Sequence, residues 1–115
     1  MSGQLIDVGV FNELKDAAGE DFVGELVGTF FEEAPGMLAE LRAAQAAQNA
    51  DAFRRAAHSL KSNSQTFGAT ALGAAARALE LAGLDADPAR DHAAIDALQA
   101  AWTDAAVALK AMCHG

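Results

Sequence analysis

The chain has 115 residues, 52% hydrophobic and 21% charged, with a formal net charge of −8. That composition suits one packed core rather than a disordered chain, so a single domain over residues 1–115 is expected without metals or disulfides. The acidity argues against nucleic acid or an anionic membrane as partner, because both demand a basic surface. The single cysteine, Cys113, excludes an intramolecular disulfide. Met1 to Leu5 carries no basic leader pattern, and no apolar run approaches the ~18 residues of a membrane span. A soluble, cytoplasmic domain is the expectation.

Helical spacing runs through nearly the whole sequence, and no strand-like alternation persists. A short first helix is predicted over Asp7 to Ala18, with Val10, Leu14 and Phe11 inward and Gly19 as its end. In the longer segment after it, Phe22, Leu26, Phe30, Met37 and Leu41 recur at helical intervals. Pro35 lies inside and is expected to kink that helix or restart it. Asn49 and Asp51 are candidate caps for a third helix starting near Asp51, running to about Phe67 and stopping at Gly68. Thr70 to about Ala82 forms the next, with Leu72, Ala75, Ala76 and Leu79 on one face and Gly83 at its end. "LDADPARD" reads as a loop, with Asp87 as N-cap and Pro88 at the first helical position of the last helix. There, Ile95, Leu98, Trp102, Ala105, Leu109 and Met112 form a regular stripe. The fold expected is all-α: an antiparallel four-helix bundle with a short N-terminal helix.

One stretch stands out, "AAHSLKSNSQTFGA", residues 56–69. At ~100° per residue, Asp51, Arg54, Arg55, Lys61, Ser62 and Gln65 all lie within about 60° of His58. Phe53, Ala56, Leu60 and Phe67 lie on the opposite side, roughly 160–220° away. His58 is therefore placed on the polar face, unlike a core histidine. Three of the eight basic residues, Arg54, Arg55 and Lys61, fall within a turn of it in a chain of net charge −8. Such an island suits an anion such as a phosphoryl group. It is equally compatible with ordinary solvated helix charges.

Other chemistries fit less well. A metal site wants a second ligand one turn away, yet Arg54 and Ser62 occupy those positions, so no metal is expected. Ser59 and Ser62 share the helix with His58 and have no elbow motif, which disfavours a hydrolase. No glycine-rich phosphate loop is present, so nucleotide binding is not expected. His92, beside Asp91, and His114, beside Cys113, read as surface residues.

With those residues in view, "AHSLKSNSQTFGA" followed by "LGAAARALE" resembles the histidine phosphotransfer (HPt) domain of multistep phosphorelays. The resemblance rests on His58, Leu60 two residues on, Lys61 three on, the small Ser62 four on, Ser64, and Gly68 ten on. It covers roughly Ala56 to Glu80, and "EEAPGMLAELRAA" resembles the helix that precedes the histidine helix in that family. The family fold, a four-helix bundle with a short N-terminal helix, agrees with the periodicity.

The resemblance implies a phosphocarrier, not an enzyme with its own kinase or nucleotide-binding region. His58 would accept a phosphoryl group on Nε2 from a receiver-domain aspartate and pass it to another receiver. Lys61 would offset the phosphoryl charge, and Ser62, where the family often has Gly, would let the receiver approach closely. Arg54, Arg55 and Gln65 would border the docking surface. Glu80 falls where some members carry a Gln that holds the other imidazole nitrogen; a carboxylate there could hold the N–H but would repel a phosphoryl group set too near. Gly68 and Ser64 look structural. The implied partners are response-regulator receivers and a hybrid sensor histidine kinase, with Mg²⁺ in the receiver and no cofactor of the chain's own. A monomer is expected. The alternative is a docking module that binds and inhibits a receiver or kinase without carrying phosphate.

Overall fold

The structure, a computed structural model, describes residues 5–84 and 87–114. Five helices follow one another: α1 (Val8–Ala18), α2 (Glu20–Ala47), α3 (Ala50–Thr66), α4 (Thr70–Ala82) and α5 (Pro88–His114). Each break has a local cause. Asp7 caps α1, its Oδ1 accepting from the Val10 amide at 3.2 Å. Asn49 caps α3 in the same way, accepting from the Ala52 amide at 3.1 Å, so the helix starts at Ala50 and Asp51 falls in its first turn. Gln48 ends α2 in a left-handed conformation, φ 57°, with its side chain donating to the Gln45 carbonyl at 2.7 Å. Asp87 receives the Ala89 amide at 3.0 Å, as an N-cap ahead of Pro88 should. Of the "LDADPARD" loop, residues 85 and 86 lie outside the described residues, as does the side chain of His114.

The short links force neighbouring helices to run antiparallel. α3 packs on α2 and α4, and α5 closes the ring against the same two helices. The result is an antiparallel four-helix bundle with α1 laid across α2 and α3. Its centre is aromatic. Phe30 stacks on Phe67 with ring centroids 4.9 Å apart and meets Trp102 edge-on at 5.1 Å. Leu41, Phe53, Leu60, Leu72, Ile95, Leu98 and Leu109 fill the layers above and below.

Two expectations are corrected. Pro35 neither ends nor restarts α2, which is continuous from Glu20 to Ala47. Proline removes its own N–H bond and crowds the carbonyl four residues back, but Pro35 is exposed, where water can serve the carbonyl left free. Phe22 faces outward and is 52% exposed; the buried stripe of α2 is Val23, Val27, Phe30, Ala34, Leu38 and Leu41. In α1 the inward face is as expected: Phe11 is the buried anchor, Leu14 packs half-buried against the core, and Val10 is half-buried.

Candidate functional site

The α3–α4 hairpin turns at Gly68, whose φ of 74° suits a residue without a Cβ. Just past the turn the two helices approach through small residues. Ser64 is fully buried, and a Cβ at Gly73 would stand 3.5 Å from its Cβ. The Ser64 hydroxyl, shut off from water, donates to the Leu60 carbonyl at 2.6 Å. This close contact sets the register further along the hairpin. His58 lies ten residues before Gly68 and Glu80 twelve after it, so two to three helical turns bring them opposite one another.

Leu60 on α3 and Leu79 on α4 are buried. Their neighbours His58, Lys61 and Glu80 therefore emerge along the seam between the helices. His58 Nδ1 stands 2.7 Å from Glu80 Oε2, and Lys61 Nζ stands 2.9 Å from Glu80 Oε1. One carboxylate thus bridges an imidazole and an ammonium. The imidazole is 56% exposed, whereas Glu80 and Lys61 keep only 18% and 19% of their side-chain surface. Glu80 Oε1 is closed to water and has no aligned hydrogen bond, so the Lys61 ammonium compensates it as an ion pair.

Those contacts fix the electrostatics. Lys61 first, and the His58 N–H second, hold the Glu80 carboxyl below its ordinary pKa, against a smaller upward push from burial. An ionised carboxylate can only accept, so the proton between Glu80 and His58 belongs to Nδ1. In the neutral ring Nε2 then carries the free lone pair. Among the described residues Nε2 has no protein partner.

The other residues singled out in the sequence divide. Arg54, Arg55 and Ser59 line a shallow hollow with His58 and Glu80. Arg55 is paired with Asp51 at 3.0 Å, so of the basic island only Arg54 has no ion-pair partner among the described residues. Ser62 is exposed on the next turn, its carbonyl accepting from the Thr66 hydroxyl at 3.1 Å. Gln65 is exposed two turns from His58 and lines a different hollow, with Asp7, Gly68 and Arg77. Angle on the helix grouped it with His58, but distance along the axis separates them. The Lys61–Glu80 ion pair escaped sequence reasoning, because its partners come from two helices and only the hairpin register joins them.

Among the described residues no three His, Cys, Asp or Glu side chains cluster as metal ligands, and no helix is long and apolar enough to cross a membrane.

This arrangement, an exposed imidazole with one nitrogen tied and a lysine one turn on, agrees with what sequence comparison finds. Residues 25–114 match the Hpt domain family. The chain belongs to that family. This Hpt domain also resembles a crystal structure of histidine-containing phosphotransfer protein B (HptB) from Pseudomonas aeruginosa PAO1. The two share 26% sequence identity and a TM-score of 0.83, over 98% of this chain and 97% of the other. A comparison with curated protein sequences returns no match.

Proposed function

We propose that this Hpt domain is a phosphorelay intermediate that carries the phosphoryl group on His58 Nε2. The observation that carries this reading is the geometry around the ring. Its Nδ1 is tied to Glu80 at 2.7 Å, while Nε2 has no partner among the described residues on a ring that is 56% exposed. A neutral imidazole held this way is a nucleophile at neutral pH that needs no further base. The group it takes comes from a receiver-domain phospho-aspartate, and the receiver brings the Mg²⁺. Transfer of this kind depends mainly on positioning and charge neutralisation, so an exposed helix face suffices on the histidine side. Arg54 and Ser59 border the hollow beside the ring, and Ser62 offers little bulk one turn on. The partners are receivers of response regulators and of a hybrid sensor kinase, met in the cytoplasm by a monomeric carrier.

The test is incubation with a phosphorylated receiver domain. Acid-labile phosphate should appear on the chain and be absent from His58→Gln. Phosphate that stays on the receiver despite a stable complex would identify a docking module instead.

A further inference from the structure

Glu80 has two partners of different kinds. Oε2 accepts the Nδ1–H of an exposed ring, while the water-excluded Oε1 has only the Lys61 ammonium beside it. The same ammonium stands one turn from His58 on α3, where it is the covered cation nearest in sequence to the ring. A phosphoryl group on Nε2 would bring nearly two negative charges to a site whose lysine is already engaged.

We propose that Glu80 sets the donor strength of His58: its carboxylate holds the proton on Nδ1 and competes with the phosphoryl group for Lys61, keeping the phosphorylated form short-lived. This rests on the reading of His58 as the phosphoryl acceptor.

The chemistry balances without an added acid or base. On loading, the Nε2 lone pair forms the N–P bond as the P–O bond to the donor aspartate breaks, its electron pair remaining on the aspartate oxygen. The Nδ1 proton stays in place, and the loaded ring is a cation facing the Glu80 carboxylate. On unloading, the N–P electrons return to Nε2 and the ring leaves as neutral imidazole. Were Nδ1 to lose its proton, the leaving group would be an imidazolate, which is far poorer. Glu80 therefore favours release by retaining that proton.

Lys61 acts in the same direction. If its ammonium swings to the phosphoryl oxygens, the water-excluded Oε1 loses the one partner beside it and only the ring cation at Oε2 still offsets the carboxylate, which is costly. If it stays with Glu80, the phosphoryl group is poorly neutralised. On the Lys61 side, either course costs the loaded state, while the ring cation at Oε2 keeps Nδ1 protonated and so keeps the ring a good leaving group. A glutamine at position 80 keeps the shape and an acceptor for Nδ1–H but removes the charge and frees Lys61.

The full chain and Glu80→Gln are each loaded with phosphoramidate, whose ammonia departs as the phosphoryl group moves to Nε2. Phosphohistidine is then followed by phosphorus NMR. The glutamine variant should hold its phosphate about tenfold longer, the factor produced by about 1.4 kcal/mol in barrier height. Nitrogen NMR of His58 should show the Nδ1–H tautomer in the wild type and in Glu80→Gln, and its loss in Glu80→Ala. Circular dichroism checks that each variant is folded. Equal lifetimes in a loaded wild type and Glu80→Gln, or an Nε2–H tautomer in the wild type, would overturn the role of Glu80 alone. A wild type that does not load, or that loads no better than His58→Gln, would overturn the carrier reading and this inference with it.

Discussion

The Gly68 carbonyl accepts the Asp7 amide at 2.6 Å, so the turn that ends the histidine helix also receives the start of α1. Gly68 serves this contact in two ways. Its φ of 74° is a left-handed conformation that disfavours a Cβ, and a Cβ placed there would lie 2.7 Å from the Asp7 carbonyl oxygen. The second obstacle is backbone, which cannot rotate aside. Gly68→Ala should therefore destabilise by more than conformational strain alone, about 2–4 kcal/mol. Urea unfolding measures it, and a loss below about 1 kcal/mol would mean that α1 yields easily.

The aromatic centre makes a larger claim. Phe30 touches Phe67 face to face and Trp102 edge-on, joining α2, the α3–α4 turn and α5 through one side chain. Phe30→Ala should cost roughly 3–5 kcal/mol, because three helices cannot all close on the void. Phe30→Leu, nearer in volume, should cost markedly less. Unfolding midpoints read at constant slope decide between this and a core that collapses around the gap.

How far the sequence foretold all this depended on whether a feature was local. Helix ends at Gly19, Gly68 and Gly83 and the Asn49 cap are each written within a turn of chain, the α5 stripe within one helix, and each is found where expected. In α2 local weight misled. The bulk of Phe22 drew the inward stripe one residue off, whereas Val23 and the small Ala34 are what fit against the neighbouring helices. Pro35 read as a kink or a restart, yet α2 runs on through it with the proline on the exposed side. At the site, the exposure of His58 followed from angles alone. Lys61 did not: the angular reading set it in solvent, yet α4 covers it and pairs it with Glu80. That pairing depends on how closely Ser64 and Gly73 let the hairpin close, a tertiary quantity.

The Glu80 bridge gives stability a recognisable pH dependence. Its carboxyl lies below the ordinary 4.5, chiefly through Lys61 and next through His58. A carboxyl depressed in the folded state binds protons more readily in the unfolded chain, so the stability it adds is fully present above 4.5. That contribution fades as pH falls below 4.5 and is gone once pH passes the depressed folded value. The remaining acidic groups are common to wild type and Glu80→Gln, so the difference between the two isolates this carboxyl. Urea midpoints from about pH 5 down to about 3, where histidine in the unfolded chain is already protonated, should show a gap that closes on acidification. A gap that widened on acidification would reverse the sign and contradict the bridge.

Lys61 links stability to transfer, and its substitution separates the two. Lys61→Met keeps most of the covered stem but removes the ammonium, leaving Glu80 Oε1 closed to water with nothing beside it. Stability should fall, and adding Glu80→Gln should restore part of it, because the second change removes the charge that the first stranded. Transfer should respond differently. Loss of a charge-assisted contact to the phosphoryl oxygens, worth roughly 1.5–3 kcal/mol, should slow acceptance from a phosphorylated receiver about 10- to 100-fold. Restoring stability with Glu80→Gln should not restore that rate, since no cation is regained. Lys61→Arg keeps the charge and should retain more of the rate than Lys61→Met, although its planar fork fits the narrow seam differently. A double-mutant cycle in unfolding, run beside acceptance rates for the same four proteins, reads both effects. If the rate recovers together with stability, Lys61 serves only to neutralise Glu80 and has no part in handling the phosphoryl group.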